Sequence, residues 1–407
     1  MDSMTAHDRW LTIVGIGEDG LEGLSPAARR VIAQAQMLVG GARHLALAGS
    51  TTARRLAWPS PIEAAIPEIS ARRGSPTCVL ASGDPFFFGV GAMLMRHFAP
   101  AEIICLPAPS AFSLAAARLG WSLQDCVCLS LHGRALEAIF PQLQPGARIL
   151  ALAWDGATAG KLASQLSARG MGASALSICE AMGGPNERVR KVLANDFAFS
   201  DIADLNTIAL EVVVEPGAKI IPRASGLPDD WFEHDGQLTK REIRAITLAS
   251  LAPRRGELLW DIGSGSGSVA IEWMLCDPAN RAIAIEAKSD RATRIARNAL
   301  DLGVPALSIV EGRAPQSLAG LAPPDAIFIG GGASDPDLLE KACAVLRPGG
   351  RLVVNAVTLE GQAELSKRYK VLGGDLAQIS VARAEAVGRF HGWRAAMPVV
   401  QWRLEKK

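Results

Sequence analysis

The chain has 407 residues, which is long enough for two or three domains. Its 42 basic and 41 acidic residues nearly balance, so no nucleic-acid or membrane-surface partner is expected. No apolar run has the length of a membrane span, and the polar start at residues 1–9 has no leader-type apolar core, which predicts a cytoplasmic protein. The seven cysteines form no Cys-x-x-Cys pair, so we expect reduced, mostly buried thiols and no metal site.

The first predicted strand begins at Leu11 and is followed by closely spaced glycines, including Gly15 and Gly17. With the next glycine they spell the G-x-G-x-x-G of dinucleotide sites, but such a site also needs an acid at the end of the following strand. The following strand, at 37–39, ends in two glycines. The motif therefore does not predict an NAD site.

Strands and helices alternate through the first half, which predicts an α/β fold. The first helix has Ser25 as its cap and Pro26 as its first residue. Further helices are predicted at 90–97, 111–119, 135–140 and 158–169, and further strands at 77–81, 102–106, 126–131, 148–153, 173–178 and 208–214.

Two of these strands end in turns of small, polar or proline residues. Gly83 and Asp84 follow the strand at 77–81, and the turn from Pro107 to Ser110 follows the next one. In open α/β sheets, ligands bind beyond the carboxyl ends of the strands. Each turn alone is weak evidence, because Ser-Gly-Asp-Pro is most often only a turn whose geometry the proline fixes.

Together these turns resemble those of the tetrapyrrole methylase superfamily, whose chains carry a strand with a G-x-G turn, then G-D-P-x-x-x-G and P-x-x-S elements. The resemblance spans about residues 10–215 and implies an N-terminal tetrapyrrole methylase domain of two α/β subdomains. It also implies that the first glycine loop faces the tetrapyrrole. The residues implied to hold S-adenosylmethionine are Gly83, Asp84, Pro107 and Ser110.

Residues 215–230 contain three prolines and two glycines and have little periodicity, which is typical of a linker. We therefore predict domains at 1–216 and 231–407, joined by a linker at 217–230. A structural arm lying on the surface would give the same pattern.

The second half is organised around a glycine-rich turn. A buried strand is predicted at 258–262, with Asp261 near its end, and a helix begins at Ser268. Small residues between them leave room for a ligand near outward-pointing amides, and form a cradle of Gly263, Ser264, Gly265, Ser266 and Gly267. The next strand ends in Glu286, whose carboxylate can accept both hydroxyls of a ribose. The G-x-G-x-G spacing favours S-adenosylmethionine over NAD; an ordinary tight turn is the alternative.

The other elements of the second half fit a seven-stranded sheet. Thr239 and Glu242 spell a capping box at the start of a helix that ends near Leu251. Further helices are predicted at 290–302 and 337–346, and strands at 307–310, 325–329, 351–355, 376–382 and 399–404. Their number matches a class I methyltransferase sheet whose last strands form an antiparallel edge.

Residues 222–407 resemble the methyltransferase-decarboxylase domain of the precorrin methyltransferases. The resemblance implies a class I, Rossmann-like domain for S-adenosylmethionine, in which Thr239 and the backbone of Ala314 also contact the cofactor. Many relatives have Asp where Arg313 stands, so no carboxylate contact is expected there. The matching segments are 238–244, 261–267, 311–314, 330–332, 347–350 and 355–360.

The presence of both domains in one chain resembles the decarboxylating precorrin methyltransferases of cobalamin biosynthesis. It implies a homo-oligomeric enzyme that converts precorrin-6B to precorrin-8X, a small-molecule tetrapyrrole reaction with methylation at C-5 and C-15 and loss of the ring C acetate carboxyl. Because alignment of an activated methyl group does most of the work, we expect no nucleophile and assign no catalytic residue. Cations that could hold substrate carboxylates, although each is more often a surface charge, are Arg241, Arg244, Arg383, Arg389, His391 and Arg394.

Three other functions stay open. An NAD-dependent oxidoreductase with two Rossmann-like halves is disfavoured by the missing acid and by the glycine spacing. A class I methyltransferase acting on another substrate, such as RNA or protein, is the second alternative, and the neutral charge disfavours RNA. A non-catalytic binding module is disfavoured by the two cofactor cradles.

Overall fold

The computed structural model describes residues 9–407, which form two compact units. One consists mostly of the residues up to Lys219, and the other mostly of Ile220–Lys407. Residues 1–8, which contributed to the predicted location, lie outside the described residues. Between residues 9 and 407, no helix is long and apolar enough to cross a membrane.

The first unit is built from alternating strands and helices. Its strands are β1 Leu11–Ile16, β2 Met37–Gly40, β3 Arg54–Ala57, β4 Thr77–Ser82, β5 Ile103–Leu106, β6 Cys126–Ser130, β7 Arg148–Leu152, β8 Ala175–Glu180, β9 Arg188–Leu193 and β10 Asn206–Glu211. Its α-helices are α1 Pro26–Gln34, α2 Ala42–Leu47, α3 Ile66–Ser70, α4 Gly91–Leu94, α5 Ala111–Leu119 and α6 Thr158–Ala168.

These strands form two sheets of five strands each. The first has the order β3-β2-β4-β1-β5 and is parallel throughout, so all its carboxyl ends lie at one edge. The second has the order β6-β7-β10-β8-β9, and only β6 and β7 are parallel. The α/β prediction is confirmed.

The first sheet is buried on both faces. Leu11 and Ile13 of β1 belong to one core cluster, whereas Val14 and Ile16 belong to another. Because side chains of a strand alternate between faces, the two clusters cover opposite faces of the sheet. This explains why β1, β2 and β4 are mostly apolar, whereas the edge strand β3 is largely exposed and begins with two arginines.

Several first-half predictions need correction. The helix predicted at 90–97 is α-helical only at Gly91–Leu94, and the one at 135–140 is a 3-10 helix, Leu136–Gln142, with Pro141 inside it. The elements α2, β3, α3 and β9 were not predicted. The Ser25 cap is confirmed, because its hydroxyl accepts a hydrogen bond from the Ala28 N–H at 3.2 Å.

The second unit contains a larger sheet and a separate hairpin. Its strands are β11 Leu258–Ile262, β12 Arg281–Glu286, β13 Ser308–Glu311, β14 Ala326–Ile329, β15 Arg351–Ala356, β16 Asp375–Ile379, β17 Ala382–Val387, β18 Phe390–Ala395 and β19 Val399–Glu405. Its α-helices are α7 Arg241–Leu251, α8 Ser268–Cys276, α9 Ser289–Asp301, α10 Pro336–Val345 and α11 Leu359–Leu372.

The large sheet has seven strands in the order β13-β12-β11-β14-β15-β19-β16, and β19 is antiparallel to both of its neighbours. From β11 the chain order runs outward in both directions, to β12 on one side and to β14 on the other. Ligands of open α/β sheets bind at such a point, beyond the carboxyl ends of the strands. The fold therefore places the glycine-rich turn after β11 at this point.

The second half also departs from its predictions. The strand predicted at 376–382 ends at Ile379, and the hairpin β17–β18 and helix α11 were not predicted. The capping box at Thr239 is wrong: α7 begins at Arg241, its cap is Lys240, and no side chain caps it. The seven cysteines are free, but only Cys78 and Cys179 are buried, so the thiols are less buried than expected.

Candidate functional site

The glycine-rich turn of the second unit links β11 to the N-terminus of α8. Gly263, Gly265 and Gly267 all have positive φ angles, of 70°, 62° and 80°. A Cβ at Gly265 would lie 2.9 Å from the carbonyl oxygen of Gln237, and one at Gly267 would lie 2.8 Å from the Ile295 side chain. The turn needs glycine for its backbone conformation and for the packing around it, as well as for any ligand.

Asp261, near the end of β11, is 1% exposed. Its Oδ2 accepts hydrogen bonds from the Ser264 hydroxyl at 2.7 Å and from the Ala270 N–H at 3.1 Å, whereas its Oδ1 is buried without a partner. Burial, with a smaller contribution from Glu286, raises the pKa of Asp261 to about 6. Asp261 thus fastens the turn to α8 and keeps one oxygen unpaired.

Glu286, at the end of β12, is also buried. Its Oε2 accepts a hydrogen bond from the Gly265 N–H at 2.9 Å, and its Oε1 accepts one from the Lys288 N–H at 3.1 Å. Glu286 therefore fixes the glycine turn directly. A carboxylate has about four acceptor sites, so these two bonds leave capacity for ribose hydroxyls.

Ser266 supplies a second unpaired polar atom within the turn. Its hydroxyl is buried and has no hydrogen-bond partner, while its carbonyl oxygen accepts a bond from the Asn298 side-chain amide at 2.9 Å. Buried polar atoms are normally paired. The unpaired oxygens of Ser266 and Asp261 are therefore atoms that a bound polar ligand can satisfy.

The predicted triple glycine lies against the same turn. A Cβ at Gly263 would lie 3.1 Å from the Gly331 nitrogen, and the Gly330 N–H donates to the Ile262 carbonyl at 3.1 Å. Because β11 and β14 are neighbours in the sheet, these two glycine segments border the crevice where the strand order diverges.

Thr239 belongs to a segment that contacts the cradle, and Ala314 belongs to one that contacts Glu286. The carbonyl of Gln237, two residues before Thr239, faces Gly265. The Gly312 N–H, two residues before Ala314, donates to the Glu286 carbonyl at 2.9 Å. Thr239 itself accepts a bond through its carbonyl from Arg244, so its backbone position is fixed.

Arg244 is not a surface cation, in contrast to the expectation for it. It is 0% exposed, and its Nε donates to Glu272 at 2.6 Å. It also pairs with Asp229 at 3.2 Å and lies over the Phe232 ring at 4.7 Å. Arg244 holds the start of the second unit together, so it is not available for a substrate carboxylate.

Most of the other candidate cations are associated with the hairpin β17–β18, whose side chains are largely exposed. Arg383 pairs with Glu242, and Arg394 pairs with Glu385 at 3.0 Å. Arg389 lies over the Phe390 ring at 5.2 Å. These contacts explain how the cations are held, and a role in substrate binding stays a prediction.

In the first unit, three predicted turns meet at the carboxyl edge of the parallel sheet. Gly83 has a φ angle of 53°, and its carbonyl accepts a bond from the Ala108 N–H at 3.1 Å. A Cβ at Gly83 would lie 2.8 Å from the Ser110 Cα, and one at Gly15 would lie 1.8 Å from the Gly83 carbonyl oxygen. The end of β1 and the turns after β4 and β5 are therefore in direct contact.

The polar side chains of these turns have clear local roles. Asp84 accepts a bond from the Phe86 N–H at 2.9 Å, and Ser110 caps α5 by accepting one from the Ser113 N–H at 3.1 Å. Pro107 is exposed. The structure thus brings Gly83, Asp84, Pro107 and Ser110 to one edge of the sheet.

Two groups of side chains at this edge were missed from the sequence. Arg43 and His44 lie in α2, directly after the two glycines that end β2, and both contact Ser82 at the end of β4. The glycine pair followed by Arg and His at a strand end was the available signal. The second group is the exposed aromatic run Phe86–Phe88, which follows the Gly83 turn.

The comparisons with known proteins assign a family to each half. The family described as Tetrapyrrole (Corrin/Porphyrin) Methylases matches residues 10–198, and the family described as Precorrin methyltransferase domain matches residues 230–406. The chain is therefore a two-domain methyltransferase.

Over 398 residues the chain is 55% identical to a precorrin-6Y C(5,15)-methyltransferase (decarboxylating) from Sinorhizobium sp., covering 98% of this chain and 96% of that relative. The chain belongs to the family of precorrin-6Y C(5,15)-methyltransferases (decarboxylating).

Two shorter relatives each match less than half of the chain. A cobalt-precorrin-7 C(5)-methyltransferase from Salmonella typhimurium is 35% identical over 179 residues, which is 44% of this chain and 88% of that protein. A protein named Probable cobalt-precorrin-6B C(15)-methyltransferase (decarboxylating), from Pyrobaculum calidifontis, is 35% identical over 180 residues, which is 43% of this chain and 92% of that protein.

Proposed function

We propose that this enzyme methylates precorrin-6B at C-5 and C-15 and removes carbon dioxide from its ring C acetate, giving precorrin-8X in cobalamin biosynthesis. The observation that carries this proposal is the 55% identity to a relative of that name over 98% of the chain. The same observation favours a methyltransferase over an NAD-dependent oxidoreductase or a non-catalytic module.

The two activities divide between the two domains. We assign C-5 methylation to the first domain, predicted at 1–216, and C-15 methylation with decarboxylation to the second, predicted at 231–407. Support comes from relatives of about half this length that are named for only one of the two carbons. The predicted linker, 217–230, is the part of the chain between them.

The second domain is a class I, Rossmann-like domain for S-adenosylmethionine. Two features fit that cofactor. The glycine turn lies where the strand order of the sheet diverges, and Asp261 and Ser266 each have an unpaired buried oxygen. Glu286 would bind the ribose, and the backbone near Ala314 the adenine. The other residues that would hold the cofactor are Thr239, Gly263, Ser264, Gly265 and Gly267.

A second molecule of the cofactor fits the first domain. The turns that contain Gly83 and Ser110 are in direct contact at the carboxyl edge of the parallel sheet, which is where ligands of open α/β sheets bind. Gly83, Asp84, Pro107 and Ser110 would hold it. When bound, the cofactor supplies an activated methyl group, and the protein contributes binding, alignment and exclusion of water.

The test is an incubation of the purified chain with precorrin-6B and S-adenosylmethionine carrying a ¹³C methyl group, followed by mass spectrometry. Two labelled methyl groups and the loss of one carbon dioxide are expected. A folded protein that adds no methyl group to this substrate contradicts the proposal. A homo-oligomeric state and a cytoplasmic location stay predictions.

A further inference from the structure

Four side chains from three separate segments meet at the carboxyl edge of the parallel sheet in the first unit. Glu18 follows β1, Arg43 and His44 lie in α2 after β2, and Ser82 ends β4. Arg43 pairs with Glu18 and donates to the Ser82 hydroxyl at 2.7 Å. We call these four residues the edge cluster.

The hydrogen bonds of the edge cluster determine the state of the histidine. His44 Nε2 lies 2.8 Å from the Ser82 Oγ and 3.0 Å from the Arg43 Nη2. A guanidinium can only donate, so Nε2 must be an acceptor and the ring proton must be on Nδ1. Burial, and then the charge of Arg43, lower the pKa of His44 to about 4, in agreement with a neutral ring.

Within the edge cluster, the ring of His44 can exchange a proton with its surroundings by one route. His44 Nδ1 is buried and without a partner, so the ring exchanges protons through Nε2. Nε2 faces Ser82, which is exposed. Ser82 is also the residue before Gly83, the glycine that contacts the end of β1 and the turn after β5. This route for the proton therefore begins beside the turns that would hold the cofactor in the first unit.

The reaction assigned to the first unit needs a proton acceptor. A meso carbon of a tetrapyrrole carries one hydrogen, which must leave as a proton once a methyl group has been added. We propose that Ser82 and His44 accept this proton: the Ser82 hydroxyl contacts the reacting carbon, and His44 Nε2 receives the proton through it. This inference rests on the proposed C-5 methylation.

The step balances without another reactant. The methyl–sulfur bond breaks with its electron pair staying on sulfur, and the ring supplies the pair for the new carbon–carbon bond. The carbon–hydrogen pair then returns to the ring, while the proton moves to the Ser82 oxygen as the hydroxyl proton moves to His44.

A weakly basic histidine suits this chemistry. The methylated macrocycle is a cation before it loses the proton, so its carbon–hydrogen bond is strongly acidic and a weak base is sufficient. Repulsion from Arg43 then favours release of the proton to solvent, and Glu18 neutralises part of the Arg43 charge while the histidine is protonated.

The first experiment compares His44→Gln with the unchanged full chain. Glutamine can still hydrogen bond to Ser82 but cannot take up the proton. We expect C-5 methylation to fall about 100-fold, a typical loss for a general base. C-15 methylation and decarboxylation in the same incubation should be unchanged, which also shows that the variant is folded. The matched control is His97→Gln, an exposed histidine of the same unit.

The second measurement separates proton transfer from positioning. With substrate deuterated at C-5, His44→Gln should show a larger primary isotope effect than the unchanged enzyme, because loss of the proton has become rate-limiting. Ser82→Ala should also raise the isotope effect, and its loss of C-5 methylation should be smaller than that of His44→Gln. Calorimetry should find unchanged binding of S-adenosylmethionine to both variants.

A third readout does not depend on turnover. In ¹⁵N-histidine NMR at pH 7, the His44 signal, assigned by its absence in His44→Gln, should be that of a neutral ring protonated on Nδ1. An imidazolium signal contradicts the inference, as does C-5 methylation by His44→Gln within about threefold of the unchanged rate with no rise in the isotope effect. If the unchanged enzyme adds no methyl group at C-5, the proposed function itself fails.

Discussion

Asp261 and Glu286, at the ends of neighbouring strands of the second unit, have different roles. Asp261 is buried beside β11 with one oxygen unpaired, whereas Glu286 at the end of β12 uses both oxygens on the backbone around the glycine turn. Because burial disfavours the charged form, ionisation of Asp261 opposes folding. Glu286 stabilises the turn through charge-assisted bonds to N–H groups. The two positions should therefore respond differently to substitution.

Asp261→Asn should gain stability relative to the unchanged protein as the pH rises. The folded pKa of Asp261, about 6, lies above its ordinary value near 4. Its ionisation therefore costs nothing below about pH 4 and has its full cost above about pH 6, of about 1–3 kcal/mol. Asparagine keeps an acceptor for Ser264 and Ala270 without that cost, and the unpaired amide N–H group that it places at the Oδ1 position adds a cost that does not vary with pH.

Denaturant unfolding of the full chain at pH 4 to 8 tests this prediction. The free energy of unfolding of the variant, relative to that of the unchanged protein, should increase by about 1–3 kcal/mol from pH 4 to pH 8. An equal change at an exposed position, Asp375→Asn, should have no such pH dependence. If the difference in the free energy of unfolding between the two proteins is constant from pH 4 to pH 8, ionisation of Asp261 does not oppose folding.

Glu286→Ala should weaken S-adenosylmethionine binding in the second unit by about 1–3 kcal/mol, because it removes acceptors for the ribose and for the Gly265 N–H. Glu286→Gln retains one acceptor and should lose less. Calorimetry of the full chain measures both, with Glu340→Ala on the exposed face of α10 as the control. Identical dissociation constants for all three variants would remove Glu286 from the site.

At the scale of elements, one buried ion pair anchors the start of the second unit. Glu272 in α8 accepts bonds from Arg244 in α7 and from the N–H groups of Gly226 and Leu227, at 2.7 and 2.8 Å. These contacts join α7 and α8 to residues 226 and 227, which lie in the linker predicted from the sequence. Removing one member of a buried pair leaves the other charge uncompensated.

Arg244→Leu should therefore destabilise the protein by about 3–5 kcal/mol. Adding Glu272→Gln should recover part of the loss, because the amide oxygen still accepts from one of the two backbone N–H groups without a buried charge. Urea unfolding of the single and double variants measures both effects. Arg241→Leu, an exposed change on the same helix, should stay within about 0.5 kcal/mol. A double variant less stable than Arg244→Leu would contradict this account.

The glycine turn could be predicted because its signals are local. Strand, acid, alternating glycines and helix lie within a few residues of one another, and positive φ angles at Gly263, Gly265 and Gly267 leave glycine as the favoured residue. The capping box failed because helix α7 starts two residues after Thr239, which leaves its hydroxyl out of the cap position. A local sequence pattern predicts the first residue of a helix only to within about one or two positions.

The missed features depend on contacts that no local pattern contains. Arg43 and Ser82 lie 39 positions apart and meet because β2 and β4 pair. The strands β17 and β18 have almost no buried residues, so no alternation of apolar and polar residues marks them. Helix α11 buries few side chains, and its apolar periodicity is correspondingly weak. In each case tertiary pairing, rather than periodicity, determines the element.

At the scale of the whole molecule, each unit has its own glycine-dependent turn. Gly83→Ala would place a Cβ 2.8 Å from the Ser110 Cα in the first unit, and Gly265→Ala would place one 2.9 Å from the Gln237 carbonyl oxygen in the second. Both contacts involve backbone atoms, which cannot move away as a flexible side chain can. If the units bind their cofactors separately, each change should disable only one methyl transfer.

We therefore expect complementary products from precorrin-6B and excess S-adenosylmethionine. Gly83→Ala should give C-15 methylation with decarboxylation, and Gly265→Ala should give C-5 methylation alone. The controls are Gly74→Ala and Gly256→Ala, which have φ angles of 84° and 81° but no atom within 4 Å of the added Cβ. They share the backbone strain, of about 1 kcal/mol, without the collision. Because strain alone should leave both transfers intact, loss of both activities in a folded Gly83→Ala variant would mean that the two sites are coupled.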